Sequence, residues 1–150
     1  MITLFKQCIL VCSLALLQIV GAPDAGLGIN NGSLSPCPSP SHCARADLTV
    51  SDPAQALASL VEVRHTMPRV EVVEATERYV HATASSRLFG FVDDLELYAA
   101  PREGIVQMRS VSRLGESDLG VNRRRLMQLQ QTYATRGLPG EGQELDGNAP

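Results

Sequence analysis

The chain has 150 residues, 13 Lys and Arg against 16 Asp and Glu, and a formal net charge of −3. That length holds one domain with appendages, and 44% apolar residues supply a core. The acidic balance excludes a nucleic-acid binder that works by bulk electrostatics, and an aromatic content of 4% without Trp argues against stacking platforms.

Residues 1–22 read MITLFKQCILVCSLALLQIVGA. Lys6 and the free amine give a positive start, and Ile9 to Val20 give an apolar run of signal-peptide size. The cut site is poor, because Pro23 follows Ala22. A spanning helix wants about 20 apolar residues, and Lys6, Gln7 and Gln18 interrupt this one. A cleaved export signal is therefore expected, with an uncleaved anchor as the alternative. A lipoprotein reading of Cys12 is disfavoured by Val11 before it. The destination is extracytoplasmic: periplasm, exterior or an organelle lumen.

Residues 23–46, rich in Gly, Pro, Ser and Asn, are expected to form an extended arm. Two cysteines remain once the leader is removed, Cys37 and Cys43 in CPSPSHC. An even pair in an exported chain reads as a disulfide. The rivals are free thiols and a metal site using His42, but the five-residue gap and the missing second knuckle do not fit zinc. No metal and no cofactor is expected.

Residues 47–136 are the expected folded domain, with 11 Arg against 12 acids and no Lys. Asp52, Pro53 and Gln55 form a capping pattern for a first helix that ends before Pro68. Leu57, Leu60 and Val61 mark its apolar face, and His65 lies one turn on. Four strands are expected next, over 70–75, 78–86, 91–98 and 104–113. Centring a hairpin turn between Pro101 and Arg102 pairs residue 98 with 105. Asp93 then falls on the apolar face opposite Ser110. Asp94 falls on the other face opposite Arg109, as a cross-strand ion pair. His81, on an early strand, reads as surface or filler rather than a base. A second helix follows, capped by Ser117 or Asn122, with Leu126, Leu129 and Tyr133 as its stripe and Gly137 as its end. Arg123, Arg124 and Arg125 sit at the wrong end of its dipole, with Asp118 and Glu116 as compensating acids. Residues 137–150 carry three acids and no base, and read as a disordered tail. The expected fold is thus a small single α+β domain: helix, about four mostly antiparallel strands, then a helix packed on one sheet face.

The polar chemistry concentrates in SSRLFGFVDDLE (85–96) and RSVSRLGESDLGVNRRR (109–125). A carboxylate on an apolar face needs a partner. Ser110, Ser112, Arg87 and Arg113 are the nearest candidates to meet Asp93. The N–H groups of a helix starting after Ser117 add an anion seat. Such a cluster can be a structural network, a binding site or a catalytic site with Asp93 as acid or base. Asp93 and Asp94 point to opposite faces, so they cannot chelate one metal together.

These stretches, with GLGINNGSLSPCPSPSHC (26–43), resemble the signatures of the family called domain of unknown function 1499. The resemblance covers about residues 26 to 135, with all three motifs in order. Its members are small proteins, many exported or plastid-targeted, and the family brings no substrate, cofactor or reaction. By resemblance the motif residues are Cys37, Cys43, Arg87, Asp93, Asp94, Arg109, Ser110, Arg113, Ser117, Asp118, Asn122 and Arg123. His42 stands where members usually have Asn. The expectation is a non-enzymatic extracytoplasmic binding or accessory module for a small anionic or lipid-like ligand. It would touch no nucleic acid, and a membrane only through an uncleaved N-terminal segment. The alternative is a hydrolase-type enzyme using Asp93, with Arg109 or Arg113 holding an anionic group.

Overall fold

The computed structural model describes residues 20–63, 66–87 and 90–136, and the backbone of 140–144. The leader up to residue 19, His65 and Gly137 lie outside the described residues. Among the described residues, ten elements follow in chain order. They are β1 (Ile29–Asn30), β2 (Ser33–Leu34), β3 (Cys43–Val50), α1 (Pro53–Val63), β4 (Val70–Ala75), β5 (Tyr79–Ser85), β6 (Val92–Ala100), β7 (Ile105–Ser112), α2 (Val121–Thr135) and β8 (Gly140–Glu144). The fold is α+β, as expected. β4-β5-β6-β7 is an antiparallel meander, β3 closes it along β7, and β8 extends the β3 edge.

Local chemistry explains most of the boundaries. Asp52 Oδ1 accepts from the N–H groups of Ala54 and Gln55 at the start of α1. Pro53 at the first helical position needs no donor of its own. Both helices pack on the same sheet face, α1 on β6 and β7, α2 on β3 and β7, and on each other. Leu57, Leu60 and Val63 meet Leu126, Leu129 and Tyr133 over Leu48, Leu95, Leu97, Val106 and Met108 in one core. The apolar residues on the strands alternate with period two, so one face of the sheet is oily apart from Asp93, Ser110 and Ser112 at one end.

β3 begins at Cys43, inside the segment read as an arm. Ala44, Ala46, Leu48 and Val50 alternate with Arg45, Asp47 and Thr49, a strand pattern hidden by residues of low β propensity. Backbone pairing with β7 over Cys43–Thr49 makes the strand, and propensity is overridden. The tail read as disordered supplies β8. An edge strand presents open backbone groups that almost any sequence can pair with, and β8 pairs at Asp47, Leu48 and Val50.

The β6–β7 register is also corrected. Ala100 pairs with Ile105, and Asp93 with Ser112. The loop is four residues, Pro101–Gly104, with Gly104 at φ 66° and the Glu103 N–H donating to the Ala100 carbonyl. The shift is by two residues, so every side chain keeps its expected face while every partner changes. Asp94 faces Val111, and Glu96 faces Arg109.

The sheet's second face is covered by the arm. Its centre is a hairpin, Ile29↔Leu34 and Asn30↔Ser33, turned by Asn31 and Gly32 at φ 51° and 81°. Both central residues are left-handed, as this tight turn requires. Leu34 packs with Tyr79, Tyr98 and Ala100 as a second, small apolar cluster. Cys37 and Cys43 are joined, with Cα atoms 5.5 Å apart. Closing so short a loop stabilises by about 2 kcal/mol in the chain-entropy model. A Cys37→Ser/Cys43→Ser variant is expected to lose about that much in urea unfolding. A loss within error would show that the prolines alone hold the loop.

Candidate functional site

The expected polar cluster divides into two networks, one on each face of the sheet. On the helix face, Asp93 is buried at 6% exposure, as its place in the hairpin requires. Its partner is Arg125 of α2, with Nη2 at 2.7 Å from Oδ2. Arg125 also donates to Ser110 Oγ and Asn122 Oδ1. Ser110 Oγ donates to Asn122 Oδ1 at 2.6 Å. The Asn122 amide donates to Ser112 Oγ and to the His42 carbonyl. Asn122 is thus a wholly buried junction between α2, β7 and the disulfide loop, not the helix cap.

The cap is Asp118. Its carboxylate accepts from the N–H groups of Gly120 and Asn122. The helix start therefore carries its own anion, and the expected anion seat is filled by the chain itself. Ser117 Oγ accepts from the Leu119 N–H. Arg87 and Arg123 are exposed and make no side-chain hydrogen bond or ion pair among the described residues.

On the arm face, charges are buried more deeply. Asp94 and Glu96 are each 0% exposed, and Arg109 is 1% exposed. Arg109 Nη1 donates to Glu96 Oε2 at 2.8 Å, and Nη2 to Asp24 Oδ1 at 2.7 Å. Tyr79 donates its hydroxyl to Glu96 Oε1, which also accepts from the Gly28 N–H. Burial first, then that bond to a carboxylate, push the Tyr79 phenol well above its ordinary range. Asp94 receives two bonds from Arg113, at 3.0 and 2.7 Å, and one from the Asp24 N–H at 3.2 Å. Its Oδ1 lies 2.8 Å from His81 Nε2. Burial by itself would raise the Asp94 pKa. The hydrogen bonds from Arg113 and His81 outweigh burial and hold it below 3.8.

A carboxyl whose folded pKa is depressed contributes stability that is complete above its unfolded value, near 3.8. That contribution is lost as pH falls through the folded value. Wild type is therefore expected to lose Tm steeply below about pH 4. Asp94→Asn is expected to be less stable at pH 7 and to show a shallower acid limb. Parallel limbs in the two proteins would remove this role from Asp94.

Sequence reasoning named Asp93, Asp94, Arg109, Ser110, Ser112, Arg113, Asp118 and Asn122, and the structure places all eight in the two networks. The expected Asp94–Arg109 pair is replaced by Glu96–Arg109 and Asp94–Arg113. Sequence reasoning missed Asp24, which lies 85 residues from Arg109 in the chain, and it read His81 as filler. Strand parity carried a signal for His81. Tyr79 and His81 alternate with Val80 and Ala82 of the core, and Glu96 of the second face pairs with His81.

Beside these charges lies a groove of about 430 Å³, between Leu27–Ile29 of the arm and Glu74, Thr76, Tyr79 and His81 of the sheet. His81 lines it. Asp94 fixes Nε2, and Nδ1 has no partner among the described residues. Thr76 Oγ1 donates to the Tyr79 carbonyl, so that hydroxyl is engaged. A second cavity, under Leu60, Met67 and Leu129, is a wholly apolar gap of about 10 Å³, the size of a single water at most. Among the described residues, no three His, Cys, Asp or Glu side chains converge on a metal position.

Fold and site together define a small disulfide-bonded α+β domain whose second sheet face is a buried, ion-paired layer roofed by its own N-terminal arm. The family model described as protein of unknown function (DUF1499) matches residues 29–132, more than half of the chain. The chain belongs to that family. No curated protein matches it. The disulfide is consistent with an oxidising compartment. Among the described residues, no helix is long and apolar enough to cross a membrane.

Proposed function

We propose that the protein is an exported binding module whose ligand seat is the groove beside His81, not the Asp93 cluster. The observation that carries this is the His81 ring. A carboxylate orients the ring through Nε2, the residue lines the groove, and Nδ1 has no partner among the described residues. Asp93, by contrast, is ion-paired, and its neighbouring hydroxyls are all engaged. Arg109 and Arg113 are also committed to carboxylates, so the groove offers no free guanidinium for an anion. Its exposed charge is Glu74. The chemistry fits a neutral or cationic ligand that carries N–H or O–H donors, rather than the anionic ligand first expected. The disulfide and the apolar leader sequence support export.

A thermal-shift screen of amines, amino sugars and polyols, against a counter-panel of phosphates, carboxylates and lysolipids, tests this. A donor-bearing compound is expected to raise Tm in wild type, and the shift is expected to vanish in His81→Gln and Glu74→Gln. Gln at 81 can still reach Asp94, which keeps the fold. A shift that survives His81→Gln, or no shift from any compound, ends the proposal.

One observation favours the hydrolase-type alternative. An imidazole backed by a buried carboxylate is the arrangement of a general base. In that reading the base is His81 and the orienting group Asp94, while Asp93 takes no part. Turnover of any ester or amide that is abolished by His81→Gln and indifferent to Asp93→Asn would support it.

A further inference from the structure

The end of the sheet where β5 and β7 finish and β6 begins differs from the rest of the surface. The loop 113–120, the segment before Val92 and the start of α2 meet there. The Arg113 N–H donates to the Val92 carbonyl, and the Asp118 N–H to the Ser41 carbonyl. Four large apolar residues are exposed at this end: Phe91 at 47%, Leu114 at 37%, Leu119 at 84% and Val121 at 39%. Leu119 is held at φ 53°, a left-handed conformation that a Leu rarely takes. An exposed apolar side chain on a strained backbone is a pattern found where a surface is used.

The charge of this end is opposite to that of the molecule. Arg87, Arg123 and Arg124 are exposed here, against Glu116 as the exposed acid, while the chain as a whole carries −3. Asp118 is spent on the helix start. The opposite end, with Glu77, Arg78, Arg102 and Glu103 in its turns, is mixed in sign. The chain also enters the domain at this end. Gly21 lies so close to the 113–120 loop that an added Cβ would come within 2.8 Å of Leu114 Cγ and 2.9 Å of Arg113 Cβ. The apolar run Ile9 to Val20 in the sequence therefore leads to the same place as the exposed apolar side chains.

We propose that this end is a membrane-contact face. Leu119 and its apolar neighbours enter the headgroup–acyl boundary of an anionic bilayer, and Arg87 and Arg123 meet the lipid phosphates. Apolar side chains ringed by unpaired cations match such a surface. The leader, before or in place of cleavage, would present the domain to it in this orientation. The inference is independent of the groove, which lies between the arm and the β4–β5 hairpin.

The chain has no Trp, so Leu119→Trp and Arg102→Trp each give a full-length protein with one reporter, at opposite ends. Vesicles of phosphatidylcholine and phosphatidylglycerol carrying acyl-brominated lipid are the probe. L119W emission is expected to shift to the blue and be quenched, and R102W emission to stay unchanged. Adding Arg87→Glu and Arg123→Glu to L119W is expected to abolish the quenching, as is pure phosphatidylcholine. L119W quenched no more than R102W overturns the proposal, and that is the result if the leader alone tethers the protein. Full quenching after the charge reversal overturns the role of the arginines. A blue-shifted L119W before lipid is added would assign the face to a co-purifying protein and overturn the membrane.

Discussion

Replacing Arg109 with Leu is expected to lower the unfolding free energy by about 3–5 kcal/mol, because two carboxylates lose their shared counter-charge. Glu96 has no route to water, and Asp24 is anchored to the sheet by this guanidinium. The reason lies in the asymmetry of buried ion pairs. Making one is close to neutral against an apolar pair, whereas breaking one leaves a desolvated charge. Two consequences separate this from simple loss of packing. The double variant Arg109→Leu/Glu96→Leu is expected to recover a large part of the loss, since it removes the orphaned charge as well. The arm is expected to loosen selectively, because Asp24 is held by Arg109 and by a bond from its N–H to Asp94. Urea midpoints for the three proteins, with amide exchange of residues 24–34, give the check. A double variant no more stable than Arg109→Leu would show that the charges are not the cause.

The second large effect is at Asn122. Asn122→Ala is expected to destabilise by about 3 kcal/mol, because it removes four hydrogen bonds at once from a wholly buried junction. Ser110 Oγ and Arg125 lose an acceptor, and Ser112 Oγ and the His42 carbonyl lose a donor. Asn122→Asp keeps the acceptor, loses both donors and places a second carboxylate near Asp93. It is expected to be at least as damaging, although the two side chains have nearly the same shape. Urea unfolding with an unchanged m-value measures both. An Asn122→Asp variant as stable as wild type would show that the amide protons carry nothing.

Both predictions concern residues whose importance was partly visible in the sequence. Asp93 was placed on the oily face from alternation alone, and the obligation to find a partner followed from electrostatics. Its partner, Arg125, was not assigned. The sequence offered Arg87, Arg113, Ser110 and Ser112 as neighbours in strand and loop, but only the docking of α2 on β3 and β7 brings Arg125 within 2.7 Å. The hairpin register was misplaced by two residues for a similar reason. Alternation fixes which face a residue takes, since a slip of one would exchange the faces, yet it is blind to a slip of two. The four-residue loop, with Gly104 at positive φ, decided the pairing.

The second sheet face was the least legible part of the molecule. Alternation puts Asp94, Glu96 and Arg109 on the face away from the apolar one, with Asp94 and Arg109 as an expected pair, and it reads His81 as surface or filler; nothing in it tells that this face is covered. These side chains are buried because residues 24–34 fold over them through backbone N–H groups, from Asp24 to Asp94, Gly28 to Glu96 and Leu34 to Gln107. Backbone donors carry no sequence signature. An arm rich in Gly, Pro and Ser therefore conceals the fact that it is a roof.

The sequence alone determined the family, the α+β class, the placement of both helices, the four strands of the meander, the disulfide pair and the face of each aspartate. The family rests on the resemblance of three motifs, and the disulfide on an even pair of cysteines behind an export leader; the rest depend on local spacing, capping or alternation, which act over a few residues. Tertiary structure decided the rest: β3 and β8 as strands, the partner of every buried charge, and the groove beside His81. Those features arise from groups tens of residues apart, such as Asp24 and Arg109, whose meeting is fixed by the packing of whole elements rather than by any residue's own preference.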